Sequence, residues 1–191
     1  MDESQELAQA REEVAAMMER ARQAQAQIAD YTQEQVDELI TAMVWAVARE
    51  DRSEEIAKFT VEETQLGNYA GKYLKIHRKT RATLMDIIND KSVGVIEEDP
   101  ERNIVKIAKP VGVIGALSPS TNPEATPVIK GISAVKGRNA IIIAPHPRAK
   151  LTNKMICDYM REAIVAMGAP ADLVQSIDVP SLDKTNELMR Q

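Results

Sequence analysis

Few residues in this sequence are equipped for covalent or proton-transfer chemistry, and their settings differ. The only cysteine, Cys157, lies in Met155-Ile156-Cys157-Asp158-Tyr159, midway along a helical pattern. A thiol there is most simply a small, partly buried hydrophobe rather than a nucleophile. His146 stands between Pro145 and Pro147, which hold it in an extended, rigid loop. His77 lies in the basic run Lys75-Ile76-His77-Arg78-Lys79, which reads as a solvated helix face, with attraction of an anionic cofactor as the lesser alternative. Asn122 precedes Pro123 just ahead of a helix, a common place for a turn or capping amide. Arg148 and Lys150 follow Pro147 at a helix start, where they meet either a phosphate or solvent. Trp45, Met17, Met18, Met43 and Met155 fit helix packing, and no site is read from them.

Composition narrows the classes. One cysteine excludes a disulfide framework and a cysteine-based zinc site. A net charge of −5 with 28% charged residues argues against a general nucleic-acid binder and describes an ordinary soluble surface. The 44% apolar content of 191 residues supports one domain, or a domain with an appendage. Apolar stretches such as Val111–Leu117 are far too short to span a bilayer. Met1–Ala10 is acidic and lacks the apolar core of a signal peptide, so a reducing cytoplasm and no membrane partner are expected.

The elements that must position these residues fall into two kinds. Residues 1–90 read as helices. Glu3–Ala29 is rich in good helix formers. Thr32 with Gln35 forms a capping box for Gln33–Arg49, whose Val36, Leu39, Ile40, Met43, Val44 and Val47 follow the helical repeat. Ser53 is expected to cap a third helix and Gly67 to stop it, and a fourth runs over Gly71–Asn89. Within residues 91–109, Val93–Glu97 and Asn103–Ala108 flank a turn and predict an antiparallel hairpin. From residue 110 the period changes. Val111–Leu117 is expected to be a strand buried on both faces, Glu124–Lys136 a helix and Ala140–Ala144 a second buried strand. Arg148–Met167 follows as a helix, Asp172–Ile177 as a third strand, and Ser181 caps a last helix. This order predicts an α/β fold with part of a Rossmann-like parallel βαβαβ sheet over residues 110–191. Ligands in such sheets bind beyond the carboxyl ends of the strands, where Ser118–Pro123 and Pro145–Pro147 fall.

Two pieces carry a family resemblance: S-P-S-T-N-P at Ser118–Pro123 and R-N-A-I-I-I-A-P-H-P-R-A-K at Arg138–Lys150. Together, in order, on two successive strand ends, they resemble the CoA-acylating branch of the aldehyde dehydrogenase superfamily. The resemblance extends over essentially the whole chain, including Phe59–Asn68. It implies that Asn122 helps form an oxyanion hole. A fixed neutral amide donor in a dry pocket stabilises an alkoxide without forming a competing ion pair. It also implies that Leu117, Ser118, Pro119, Ser120 and Thr121, with Ala144, Pro145, His146 and Pro147, line the path of NAD or NADP and of coenzyme A. Helix starts nearby favour phosphates. No G-x-G-x-x-G is present, so spacing alone names no cofactor. Ala144 stands where many hydrolytic relatives have a lysine, and the Pro-His-Pro that follows fits the acylating type. No metal is implied.

The resemblance further implies a cysteine nucleophile and a nicotinamide-side glycine-rich segment downstream of this sequence, so the 191 residues alone are expected to be inactive. It implies a homo-oligomer assembled through the hairpin at 91–109 and neighbouring helices. It also implies a short aldehyde substrate of the acetaldehyde or sulfoacetaldehyde type, with succinate semialdehyde open. The alternatives are a non-catalytic nucleotide-binding or assembly module, or a truncated remnant. Leu182–Gln191 reads as a helix still in progress, which favours truncation, and a half-sheet is expected to leave a strand edge and apolar helix faces exposed.

Overall fold

A computed structural model describes residues 3–191. Met1 and Asp2, the start of the acidic segment read above, lie outside the described residues. The first helix, α1 (Glu3–Gln27), buries Ala10, Val14, Met18, Ala21 and Ala24 at helical spacing. Helix α2 (Gln33–Ala48) opens with the expected capping box. The Thr32 hydroxyl accepts from Gln35 N at 3.2 Å, and the Gln35 side chain accepts from Thr32 N at 2.9 Å. Its buried stripe is the anticipated one, but Trp45 is 63% exposed, one residue past Val44 and off that stripe, rather than packed.

Helix α3 (Glu50–Thr64) starts at Arg49, not Ser53. Glu50 and Asp51 occupy the first turn, where acidic side chains suit the helix dipole. Ser53 lies inside the helix, donating to Glu50 O at 3.0 Å. The left-handed residue that ends α3 is Gln65 (φ 57°), and Gly67 (φ 77°) lies two residues further on. The expected fourth helix is interrupted: α4 (Tyr69–Lys75), a five-residue π turn (Ile76–Thr80), then α5 (Arg81–Ile87). Asn68 caps α4, accepting from Gly71 N at 2.8 Å.

Strands β1 (Gly94–Asp99) and β2 (Ile104–Ala108) form the antiparallel hairpin. Strands β3 (Val113–Ser118), β4 (Ala140–Pro145) and β5 (Val174–Ser176) form a parallel sheet in the order β3-β4-β5, with Val113 opposite Ala140 and Ile141 opposite Val174. Helix α6 (Thr126–Lys136) connects β3 to β4, α7 (Lys150–Ala166) connects β4 to β5, and α8 (Leu182–Arg190) follows β5. Helices α6 and α7 pack on one face, backed by α2, while α1 and α8 pack together on the other. Among the described strands β4 alone is buried throughout, and it alone has a strand on each side. The expectation that β3 is buried on both faces fails: Ala116 and Ser118 are buried on one face, while Gly115 and Leu117 on the other are exposed. Val111, Val179 and Leu182 are also exposed. Asn139 ties the entry to β3 against the end of α6. Its Oδ1 accepts from Val111 N at 2.7 Å and Gly112 N at 3.0 Å, while its amide donates to Ala134 O at 3.2 Å.

Candidate active site

The two sequence-predicted loops lie side by side. β3 and β4 are parallel neighbours paired from Val113 to Ser118, and beyond their ends His146 N donates to Ser118 O at 2.8 Å. Leu117, Pro119, Thr121, Asn122, His146 and Pro147 are exposed there, Ser120 is half-buried, and Ser118, Ala144 and Pro145 are buried. The Leu117 carbonyl accepts from Lys130 Nζ at 2.8 Å. The chain turns at Asn122, whose carbonyl accepts from Ala125 N at 3.3 Å and Thr126 N at 3.1 Å. Pro127 then lies in the first turn of α6, where its missing N–H costs nothing.

Behind this loop stand three residues, of which the sequence reading touched only Lys75, as part of a basic run. Lys72 and Lys75 are three apart on α4 and so share a helix face. Lys72 Nζ donates to Thr121 O at 2.8 Å and to Glu124 Oε2 at 3.1 Å. Lys75 Nζ donates to Asn122 Oδ1 at 2.8 Å and stands 3.8 Å from Glu124 Oε1. Both side chains of the Lys72–Glu124 pair are buried, whereas Lys75 is 42% exposed. Removing one partner of such a buried pair leaves an uncompensated charge, at a cost of about 3–5 kcal/mol. Two ammonium groups face one carboxylate, so an excess positive charge sits behind the Asn122 amide. That arrangement suits a negative charge developing in front of it.

The other candidates separate. Cys157 is buried on α7, its Sγ accepting from Asn153 Nδ2 at 3.7 Å, and burial pushes its thiol up to about 12, with Asp158 adding to the shift. His146 Nδ1 accepts from Arg148 N at 3.1 Å, which makes it the cap of a short 3-10 turn, Pro147–Ala149. Arg148 reaches back to Thr64 O at 2.9 Å. The start of α7 is closed by Glu63 of α3, whose carboxylate accepts from Leu151 N and Thr152 N, both at 2.8 Å. His77 is half-buried rather than on a solvated face, with Nε2 3.0 Å from Ser53 Oγ and its ring 4.5 Å from that of Tyr73, while Arg78 and Lys79 are exposed. Among the described residues, no group of three or more His, Cys, Asp or Glu is placed to hold a metal ion, and no helix is long and apolar enough to cross a membrane.

The sequence profile described as Aldehyde dehydrogenase family matches residues 4–191. The chain belongs to the aldehyde dehydrogenase family. It is 49% identical over 174 residues to a sulfoacetaldehyde dehydrogenase of an Acholeplasma species, a match that covers 91% of this chain and 36% of that protein. An acetylating aldehyde dehydrogenase from Geobacillus thermoglucosidasius superposes with a TM-score of 0.89 at 35% identity, covering 97% of this chain and 40% of that one. A propionaldehyde dehydrogenase from Rhodopseudomonas palustris, solved with bound CoA and an acylated cysteine, gives a TM-score of 0.79 at 28% identity, covering 93% and 40%. This aldehyde dehydrogenase chain thus spans less than half the length of the relatives it matches. Its α/β architecture, a parallel sheet with helices and a separate hairpin, is that of acylating members.

Proposed function

We propose that the protein carrying this sequence is a CoA-acylating aldehyde dehydrogenase. It oxidises a short aldehyde of the acetaldehyde or sulfoacetaldehyde type with NAD or NADP and delivers the acyl group to coenzyme A. The observation that carries this reading is the Asn122 amide. It is exposed at the carboxyl end of β3, and its oxygen is already taken by Lys75. A donor-only ammonium leaves the amide N–H groups to face a reacting carbonyl oxygen. The relatives' names, sulfoacetaldehyde and acetylating aldehyde dehydrogenases, support the substrate class.

Leu117–Thr121 and Ala144–Pro147 would hold the nicotinamide nucleotide and coenzyme A. The Ser118 hydroxyl is buried without a hydrogen-bond partner at the end of β3. When bound, the nicotinamide takes up hydride and the CoA thiol accepts the acyl group. The thiol that attacks the aldehyde is not Cys157 and belongs to residues outside this sequence. The exposed Val95, Ile104, Val105 and Ile107 support the hairpin as the contact of a homo-oligomer. Reduction of NAD+ or NADP+ by the native protein, followed with acetaldehyde and with sulfoacetaldehyde, tests the reading. Turnover that depends on CoA is expected with at least one of them, and turnover indifferent to CoA would contradict it.

A further inference from the structure

We propose that Lys75 is the positioning residue of the oxyanion amide, with the buried Lys72–Glu124 pair as its base. The inference rests on the reading of Asn122 as the oxyanion donor. An asparagine side chain has a donor end and an acceptor end of nearly equal shape. Turned the wrong way, it would set an oxygen against the developing alkoxide. Lys75 has only donors, so its 2.8 Å bond to Oδ1 admits one orientation, with Nδ2 facing away. Thr121 Oγ1, 3.4 Å from Nδ2, receives one N–H loosely and leaves the other unengaged.

Lys75 is itself held. Glu124 is fully buried, its Oε2 is occupied by Lys72, and its Oε1 makes no hydrogen bond and lies 3.8 Å from Lys75 Nζ. Lys72 also grips the Thr121 carbonyl, so the backbone on one side of Asn122 and the side chain of Asn122 are fastened to the same helix. That helix passes directly into the π turn, a feature that recurs at functional sites.

The test is a double-mutant cycle in the native enzyme, with kcat and KM measured on acetaldehyde and on sulfoacetaldehyde. Lys75→Met is expected to lower kcat about tenfold or more on each of these aldehydes that is turned over, with KM little changed. Lys75→Arg, which keeps a donor, restores most of that loss. In an Asn122→Ala background, Lys75→Met changes kcat by less than about threefold, because it acts only through the amide. If Asn122→Ala slows the enzyme and Lys75→Met does not, the inference fails while the oxyanion reading stands. If Asn122→Ala itself leaves kcat unchanged, the oxyanion reading fails first. A Lys75→Met defect confined to the KM for sulfoacetaldehyde overturns positioning and shows that the ammonium binds the substrate's sulfonate. Equal kcat losses in the wild-type and Asn122→Ala backgrounds also overturn it.

Discussion

One oxygen of Glu63 accepts both the backbone N–H and the hydroxyl of Thr152, at 2.8 and 2.7 Å, across 89 residues of chain. Its other oxygen takes Leu151 N. A carboxylate from α3 thus fills the N-terminus of α7, the place where a helix would otherwise offer its free N–H groups to a phosphate. Recognition of a nucleotide along Ala144–Pro147 must rely on other groups. Glu63→Ala is expected to destabilise the protein by about 1–2 kcal/mol, as loss of a capping acceptor does. For a cooperative unit of 191 residues that corresponds to a drop of roughly 2–8 °C in Tm, read by circular dichroism. A Tm unchanged within one degree would show that water replaces the cap at no cost.

Asn122→Ala removes an exposed amide, so on the proposed reading its effect falls on turnover rather than on the fold. A decrease of about 100- to 1000-fold in kcat is expected, with wild-type far-UV dichroism. Steady-state kinetics on the native enzyme decide it.

The Cys157 thiol, held up at about 12 chiefly by burial, is expected to resist iodoacetamide at pH 8 in the folded protein and to react promptly in denaturant. Cys157→Ala keeps the activity, and labelling that tracks inactivation would refute the assignment. The linkage also has a sign. The unfolded thiol ionises near its ordinary 9.0 and the folded one near 12, so this contribution to stability is complete below pH 9 and lost as pH rises from there.

His77 is shifted below its ordinary value, first by burial and then by Arg81, with Glu50 opposing. The unfolded imidazole therefore takes up a proton more readily than the folded one. The stabilising contribution is complete above pH 6.5 and falls as pH drops through the lowered folded value. His77→Gln is expected to flatten that limb of a Tm-against-pH profile relative to wild type. Parallel profiles for the two proteins would contradict it.

Gly115 admits a close approach of α8 to β3: an added Cβ would meet Leu188 Cγ at 3.2 Å and the Leu188 carbonyl at 3.5 Å. Gly115→Val is expected to push α8 off the strand and to cost about 1–3 kcal/mol, measurable by urea unfolding. A midpoint equal to wild type would mean that α8 gives way freely.

What the sequence makes legible is what lies close along it. The Thr32–Gln35 box spans three residues, the helical stripes repeat within a turn or two, and the Ser118–Pro123 loop is placed because strand, turn and helix follow one another, whereas Asn122 within it is picked out by the family resemblance alone. The supports of the site have no such signature. Glu124 meets Lys72 across 52 residues, and Glu63 meets Thr152 across 89. Both pairs look in the sequence like ordinary surface polar residues. Ser53 misleads for a related reason: it is a good capping type, but its side chain is spent inside α3, next to a histidine 24 residues away. The one signal available was the spacing of Lys72 and Lys75, which sets two cations on one side of a short helix.

The π turn at Ile76–Thr80 explains a pattern of fours. Lys72, Ile76 and Thr80 are buried and Leu84 and Ile88 half-buried, each four residues after the last. On a regular α-helix of 3.6 residues per turn, every such step slips by about 40°, and four steps would swing the line most of the way to the opposite side. A wider turn in the middle holds the slip back. It acts as a vernier, letting one rod aim ammonium groups at the loop end of β3 at its start and aliphatic side chains at the interior at its close. Winding the same residues at the narrower pitch throughout would set those two ends at odds.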